Sequence, residues 1–163
     1  MPSLLILFHT HTGGTRQMAE AAAAGAAQEA GLDIHLMAAP DAGPEHVLAA
    51  DGYIFATPEN LAAMAGMMKD FFDRSYYPVL DRIAGRPYGT LICAGSDGEN
   101  AARQIARIAT GWRLRPVADP VIVLTHAQTP EAILAPKRIG EADLARCREL
   151  GAVMGAGLAM GIF

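Results

Sequence analysis

The segment His9-Thr10-His11-Thr12-Gly13-Gly14-Thr15 has the composition of a phosphate cradle. Its glycines expose backbone N–H groups, and its threonines add hydroxyl donors. It runs straight into a helical pattern, whose N-terminus contributes the positive end of a dipole. The segment holds no lysine, and the spacing GxxxxGK[ST] is absent, which excludes a nucleoside-triphosphate loop. The GxGxxG spacing is absent here too, which weakens a dinucleotide site. Hydroxyls and amides without a lysine suit a phosphate monoester held by neutral donors. The competing reading is a glycine turn leading into a threonine-capped helix. Position decides for the cradle, because the segment follows the first buried strand of an alternating strand–helix chain.

Two further segments follow apolar runs and must emerge on the same rim. The first is Thr57, Pro58, Glu59, Asn60, Leu61 and Ala62; the second is Ala94, Gly95, Ser96, Asp97 and Gly98. Both carry small residues, a bend and hydrogen-bonding groups, so a planar heterocycle can lie against them. The alternative is two ordinary turns, with Asn60 and Asp97 as local caps. Glu59 and Asp97 are candidate acceptors for a ring N–H. His9 and His11 flank the first loop and read as loop donors, with acid/base catalysis as the alternative. No Ser/His nucleophile set stands out, so hydrolysis is not expected. Cys93 and Cys147 lie far apart without metal-ligand spacing, so both read as packing residues and no metal site is expected.

The elements that position these loops alternate regularly. Leu4 to Phe8 is a continuous apolar run, as in a strand covered on both faces. Arg16 to Ala30 reads as an alanine-rich helix ended by Gly31. Leu32 to Leu36 alternates apolar and polar, the mark of an edge strand. Tyr53 to Ala56 reads as a buried strand broken by Thr57-Pro58. Met64, Met67, Met68, Phe71 and Phe72 form a helical stripe, followed by a connector over Tyr76 to Pro87. Tyr88 to Ala94 is a third buried strand, and Ala101, Ile105, Ile108 and Trp112 mark a helix face. Val117 to Leu124 is β-branched with Pro120 inside, a second edge. Gly140 to Gly161 holds the last helix; its glycines over 151–157 imply close packing on the sheet or on a second subunit. The expected fold is one α/β domain over 1–163, a doubly wound five-stranded parallel sheet in order 2-1-3-4-5 with helices on both faces. Ligands in such sheets bind beyond the carboxyl ends of strands one and three.

Composition narrows the partners. A formal charge of −4 over 163 residues gives no basic face for nucleic acid, and 52% hydrophobic content excludes intrinsic disorder. The apolar stretches at 4–8 and 151–163 are too short to span a bilayer, so no membrane span is expected. No signal-peptide pattern opens the chain, and a cytoplasmic location is expected.

Three segments carry a family resemblance. Thr10-His11-Thr12-Gly13-Gly14-Thr15-Arg16-Gln17-Met18-Ala19 is similar to the T/S-x-T-G-N-T phosphate loop of the flavodoxin-like superfamily and the helix after it. Asp51 to Glu59 resembles its third strand and ring-binding loop, and Lys69-Asp70-Phe71-Phe72-Asp73-Arg74 resembles a helix end of its NAD(P)H-dependent flavin and quinone reductases. The resemblance implies non-covalent FMN, with the phosphate on 10–15 and the ring against 58–62 and 94–98. It implies hydride transfer at flavin N5 from NAD(P)H to a small-molecule electron acceptor, a quinone or a flavin, with no catalytic side chain. Arg103, Arg107, Arg113 and Arg115 read as a solvated face, with the 2′-phosphate of NADPH as the alternative. The chain departs from the pattern at Gly14, where the family carries asparagine, and in lacking aromatics in both ring loops. An uncovered ring face favours a reductase over a flavodoxin-type electron carrier. It also makes a homodimer or homotetramer an expectation. A third reading, a fold that has lost its cofactor, stays open because of Gly14.

Overall fold

The computed structural model describes all residues from Met1 to Phe163. It runs β1 (Ser3–Phe8), α1 (Gly14–Ala26), β2 (Asp33–Ala38), α2 (Pro44–Ala49), β3 (Gly52–Asn60), β4 (Ala63–Met64), α3 (Gly66–Val79), β5 (Pro87–Ala94) and α4 (Glu99–Gly111). Then come β6 (Arg115–Pro116), β7 (Val121–Leu124), α5 (Pro130–Leu134) and α6 (Glu141–Met160). The sheet order is β2-β1-β3-β5-β6, with β7 also on β5 and β4 hairpinned onto β3. Every pair is parallel except β3–β4. Counting β6 and β7 as one interrupted row gives the expected 2-1-3-4-5 arrangement.

Successive residues of a strand face opposite sides, so each strand feeds two cores. Leu5, Leu7, Tyr53, Phe55 and Ile92 join α2, α3 and α4 on one face. That core is aromatic: Phe72 lies 5.1 Å from Phe55 and 5.7 Å from Trp112, centroid to centroid. Leu4, Ile6, Ile54, Leu91 and Cys93 join α1 and α6 on the other face. Glycines bring α1 and α6 close together there. A Cβ on Gly25 would overlap the Arg148 carbonyl, and one on Gly151 the Ala22 carbonyl. Gly151 and Gly155 of the last helix therefore serve close packing within this chain, against α1, while Gly157 packs under the Phe163 ring.

Several boundaries differ from the sequence reading. β3 continues through Thr57 and Pro58 to Asn60. β1 stops opposite Ala56, so no ladder partner on that side needs an N–H from Pro58. α1 ends at Ala26, five residues before Gly31, with Ala27 closing the last turn. α3 begins at Gly66 and includes Tyr76, Tyr77 and Pro78, while Met64 belongs to β4 and Met67 faces solvent. The fifth row is broken across 117–120, where Pro120 lacks a ladder donor. No helix is long and apolar enough to cross a membrane.

Candidate functional site

Because β1, β3, β5 and β7 run parallel, the loops after all four open on one rim. They enclose a cleft of about 600 Å³. Thirteen of the candidate residues line it: Thr10, His11, Thr12, Gly14 and Thr15; Pro58, Glu59, Asn60, Leu61 and Ala62; Ala94, Gly95 and Ser96. Gly13, Thr57, Asp97 and Gly98 lie behind that lining and shape the loops. Gly13 and Gly98 take φ of +93° and +87°, left-handed entries into α1 and α4 that disfavour a side chain. Thr57 is fully buried; its hydroxyl accepts from the Ala65 N–H at 3.1 Å and donates to the Pro58 carbonyl. Asp97 accepts from the Glu99 N–H at 3.3 Å, a local cap.

The first loop is a donor cradle. Thr10 Oγ1 accepts from the Gly13 N–H at 2.9 Å and closes the turn. α1 has no side-chain cap, and the amides of Gly14, Thr15 and Arg16 donate to no acceptor in the protein. Such amides at a helix start fit a bound anion. Burial, and then His11, hold the His9 pKa below the ordinary imidazole value. That shift favours the neutral imidazole.

A side chain at position 14 would meet steric obstacles. A Cβ on Gly14 would stand 2.8 Å from Cys93 Sγ and 3.3 Å from Lys137 Cβ. A side chain there requires Cys93 or the neighbouring wall to shift.

The second loop ends in a tight hairpin. Leu61 and Ala62, between paired Asn60 and Ala63, take φ of 51° and 62°. These are type I′ positions that normally favour Asn or Gly. α4 holds the hairpin by its backbone: Asn100 Nδ2 donates to the Ala62 carbonyl and Gln104 Oε1 accepts from the Met64 N–H. Glu59 does not stand free as a ring acceptor. Its carboxylate accepts from the Gly98 N–H at 2.9 Å and the Ala101 N–H at 3.0 Å, capping α4 and tying the second loop to the third. Glu59→Ala is expected to cost about 1–2 kcal/mol, reduced by its partial exposure. A lowered urea midpoint with an unchanged slope would show it.

One wall went unread in the sequence. Thr125, Ala127, Gln128, Ile133, Leu134 and Lys137 line the cleft, as does Cys93 at the end of β5. Thr125 and His126 donate their N–H groups to the Ala94 and Gly95 carbonyls, extending the third loop. Gln17 Nε2 donates to the Lys137 carbonyl, and Gln17 Oε1 accepts from the Ile139 N–H. The signal was available: a fifth parallel strand must also end on this rim, and 15 residues separate Leu124 and Gly140. Burial raises the Cys93 pKa, and raises that of Cys147 to about 11. Both are expected to resist a thiol reagent at pH 8 in the native protein and to react once denatured.

A profile for NADPH-dependent FMN reductases matches residues 38–129. A flavodoxin of Aquifex aeolicus is 34% identical over 108 residues, covering 65% of this chain and 56% of that protein. An NAD(P)H dehydrogenase (quinone) of Acidithiobacillus ferrooxidans is 33% identical over 95 residues, covering 46% and 48%. The chain thus spans about half the length of the curated relatives it matches. Among solved structures, an archaeal flavodoxin aligns with TM-score 0.78 at 18% identity, covering 96% of this chain and 98% of the other. A flavodoxin-like, WrbA-like protein of Agrobacterium tumefaciens aligns at 0.77 and 20%, covering 99% of both chains. These two likenesses are of fold: the flavodoxin-like doubly wound sheet.

Proposed function

The chain belongs to the NADPH-dependent FMN reductase family, and from that premise we propose that it uses FMN to pass a hydride from NAD(P)H to a quinone or flavin. The observation that carries this reading is the cleft itself. An anion cradle at one end continues into two apolar-edged loops, and no Phe, Tyr or Trp lines any of it. Bound FMN supplies the redox chemistry, accepting a hydride and releasing electrons to the acceptor.

The protein's part is binding and orientation. The free amides of Gly14, Thr15 and Arg16 receive the phosphate, with Thr12 beside them. Pro58 to Ala62 and Ala94 to Ser96 form the seat for the ring. Glu59 keeps these two walls at a fixed separation through its bonds to Gly98 and Ala101. With no aromatic lid in this chain, one ring face is left for a nicotinamide or an acceptor to stack on. Leu61, Ile133 and Leu134 are exposed around the mouth and give it an apolar border. Such a border suits a planar, sparingly polar acceptor such as a quinone.

The likeness to a protein named flavodoxin favours a second reading, an electron carrier without its own NAD(P)H reaction. Steady-state assay separates the two. With FMN-loaded protein and benzoquinone, NADPH or NADH is expected to be oxidised catalytically and in proportion to bound FMN. A rate no higher than that of free FMN would leave the carrier reading.

A further inference from the structure

We propose that Lys137, reached from the far end of the chain, is the residue by which this cleft selects a phosphorylated flavin over its unphosphorylated form. The inference rests on the FMN reading above and deepens it.

The phosphate loop carries no lysine of its own. The arginine that follows the loop, Arg16, does not line the cleft: Nε donates to Glu20 at 3.0 Å, and the guanidinium lies 5.7 Å over the Phe8 ring. Lys137 is the one lysine or arginine that lines the cleft. Its backbone is seated on the loop, with its N–H donating to the Thr12 carbonyl at 2.9 Å. Gln17 pins the same stretch from α1, at 2.8 and 2.9 Å. Nζ reaches Thr12 Oγ1 at 3.5 Å and otherwise donates to the carbonyls of Ala132, Ile133 and Ala135. No carboxylate pairs with it, so a full positive charge stands beside the cradle, balanced only by neutral dipoles.

The same segment closes off the alternative. A side chain at position 14 would collide with Cys93 and crowd Lys137 Cβ. What the loop receives across position 14 is thus a positive charge and not a free donor, since the three ammonium protons are already given to carbonyls. A dianionic phosphate gains from that charge, whereas a neutral ribityl hydroxyl gains little.

The test compares dissociation constants for FMN and riboflavin in wild type, Lys137→Met and Lys137→Gln by flavin fluorescence. Gln keeps a donor for the α5 carbonyls and so guards against loss of the segment. The expected result is a wild-type preference for FMN that falls about ten- to hundredfold in both variants, with riboflavin affinity unchanged. A purely structural lysine would weaken both ligands together. If wild type prefers FMN and the variants keep that ratio, the inference is overturned and the FMN reading stands. If wild type binds FMN no better than riboflavin, the phosphate reading falls and the inference with it.

Discussion

Gly151→Ala is expected to lower the stability of this protein by about 2–3 kcal/mol, a large share of the 5–15 kcal/mol typical of a domain. The added methyl has nowhere to go. It would overlap the carbonyl oxygen of Ala22, and backbone cannot rotate aside as a side chain can. Gly25 makes the reciprocal approach to the Arg148 carbonyl, so α1 and α6 touch main chain to main chain. Alanine gains about 1 kcal/mol of helix propensity over glycine, which offsets part of the strain without reversing it. Gly157→Ala is the control. Its methyl would meet the ring of Phe163, a side chain that can turn aside where a carbonyl cannot. Urea midpoints should therefore fall sharply for Gly151→Ala and little for Gly157→Ala. Equal midpoints would mean that α1 and α6 are not held this closely.

Gly14→Ala is expected to weaken FMN binding by tenfold or more. The new Cβ, 2.8 Å from Cys93 Sγ, forces the first turn of α1 away from β5, and the free amides of Gly14, Thr15 and Arg16 move with it. Overpacking of this kind costs about 1–3 kcal/mol of stability, and an empty loop that relaxes to shed about 1.4 kcal/mol or more of it loses tenfold or more in affinity. Cys93→Ala removes the nearest obstacle and should return most of the loss in the double variant, leaving only the softer contact with Lys137. Cys93→Ala alone should change FMN affinity little. Additive effects in the double-mutant cycle would place the cause elsewhere.

Much of this molecule is legible in its residues, and the gaps have physical causes. The apolar runs at 4–8, 53–56 and 88–94 identify the central strands because burial on both faces leaves them no charged residue and, besides the tyrosine hydroxyls, only Thr90 as a polar one. Parallel direction then brings their three following loops to one rim. The interrupted edge at 117–124 was less legible, since Pro120 marks an edge without saying where pairing stops. Pro58 misled in the opposite sense: proline ends a ladder only where a partner strand needs its N–H, and β1 has already stopped. Gly31 read as a helix end, yet α1 closes on Ala27 through bonds to the Ala23 and Gly25 carbonyls. Glu59 read as a rim acceptor, but its partners, Gly98 and Ala101, lie some forty residues away. The wall from Thr125 to Ile139 was hidden for the same reason. It has little periodicity of its own, and it is held by Gln17 across 120 positions of sequence.

The gap at Gly14 shows how such distant contacts change a motif. In the sequence the missing asparagine reads as a lost contact. In the fold Cys93 and Lys137 occupy the space a side chain there would take.

The central claim is that this cleft holds FMN and that a nicotinamide can reach the ring. An anaerobic visible spectrum of FMN-loaded protein, recorded before and after adding NADPH and then NADH, tests it most directly. The account predicts rapid bleaching of the flavin band with at least one of the two donors. A bound flavin whose band persists with both would contradict it.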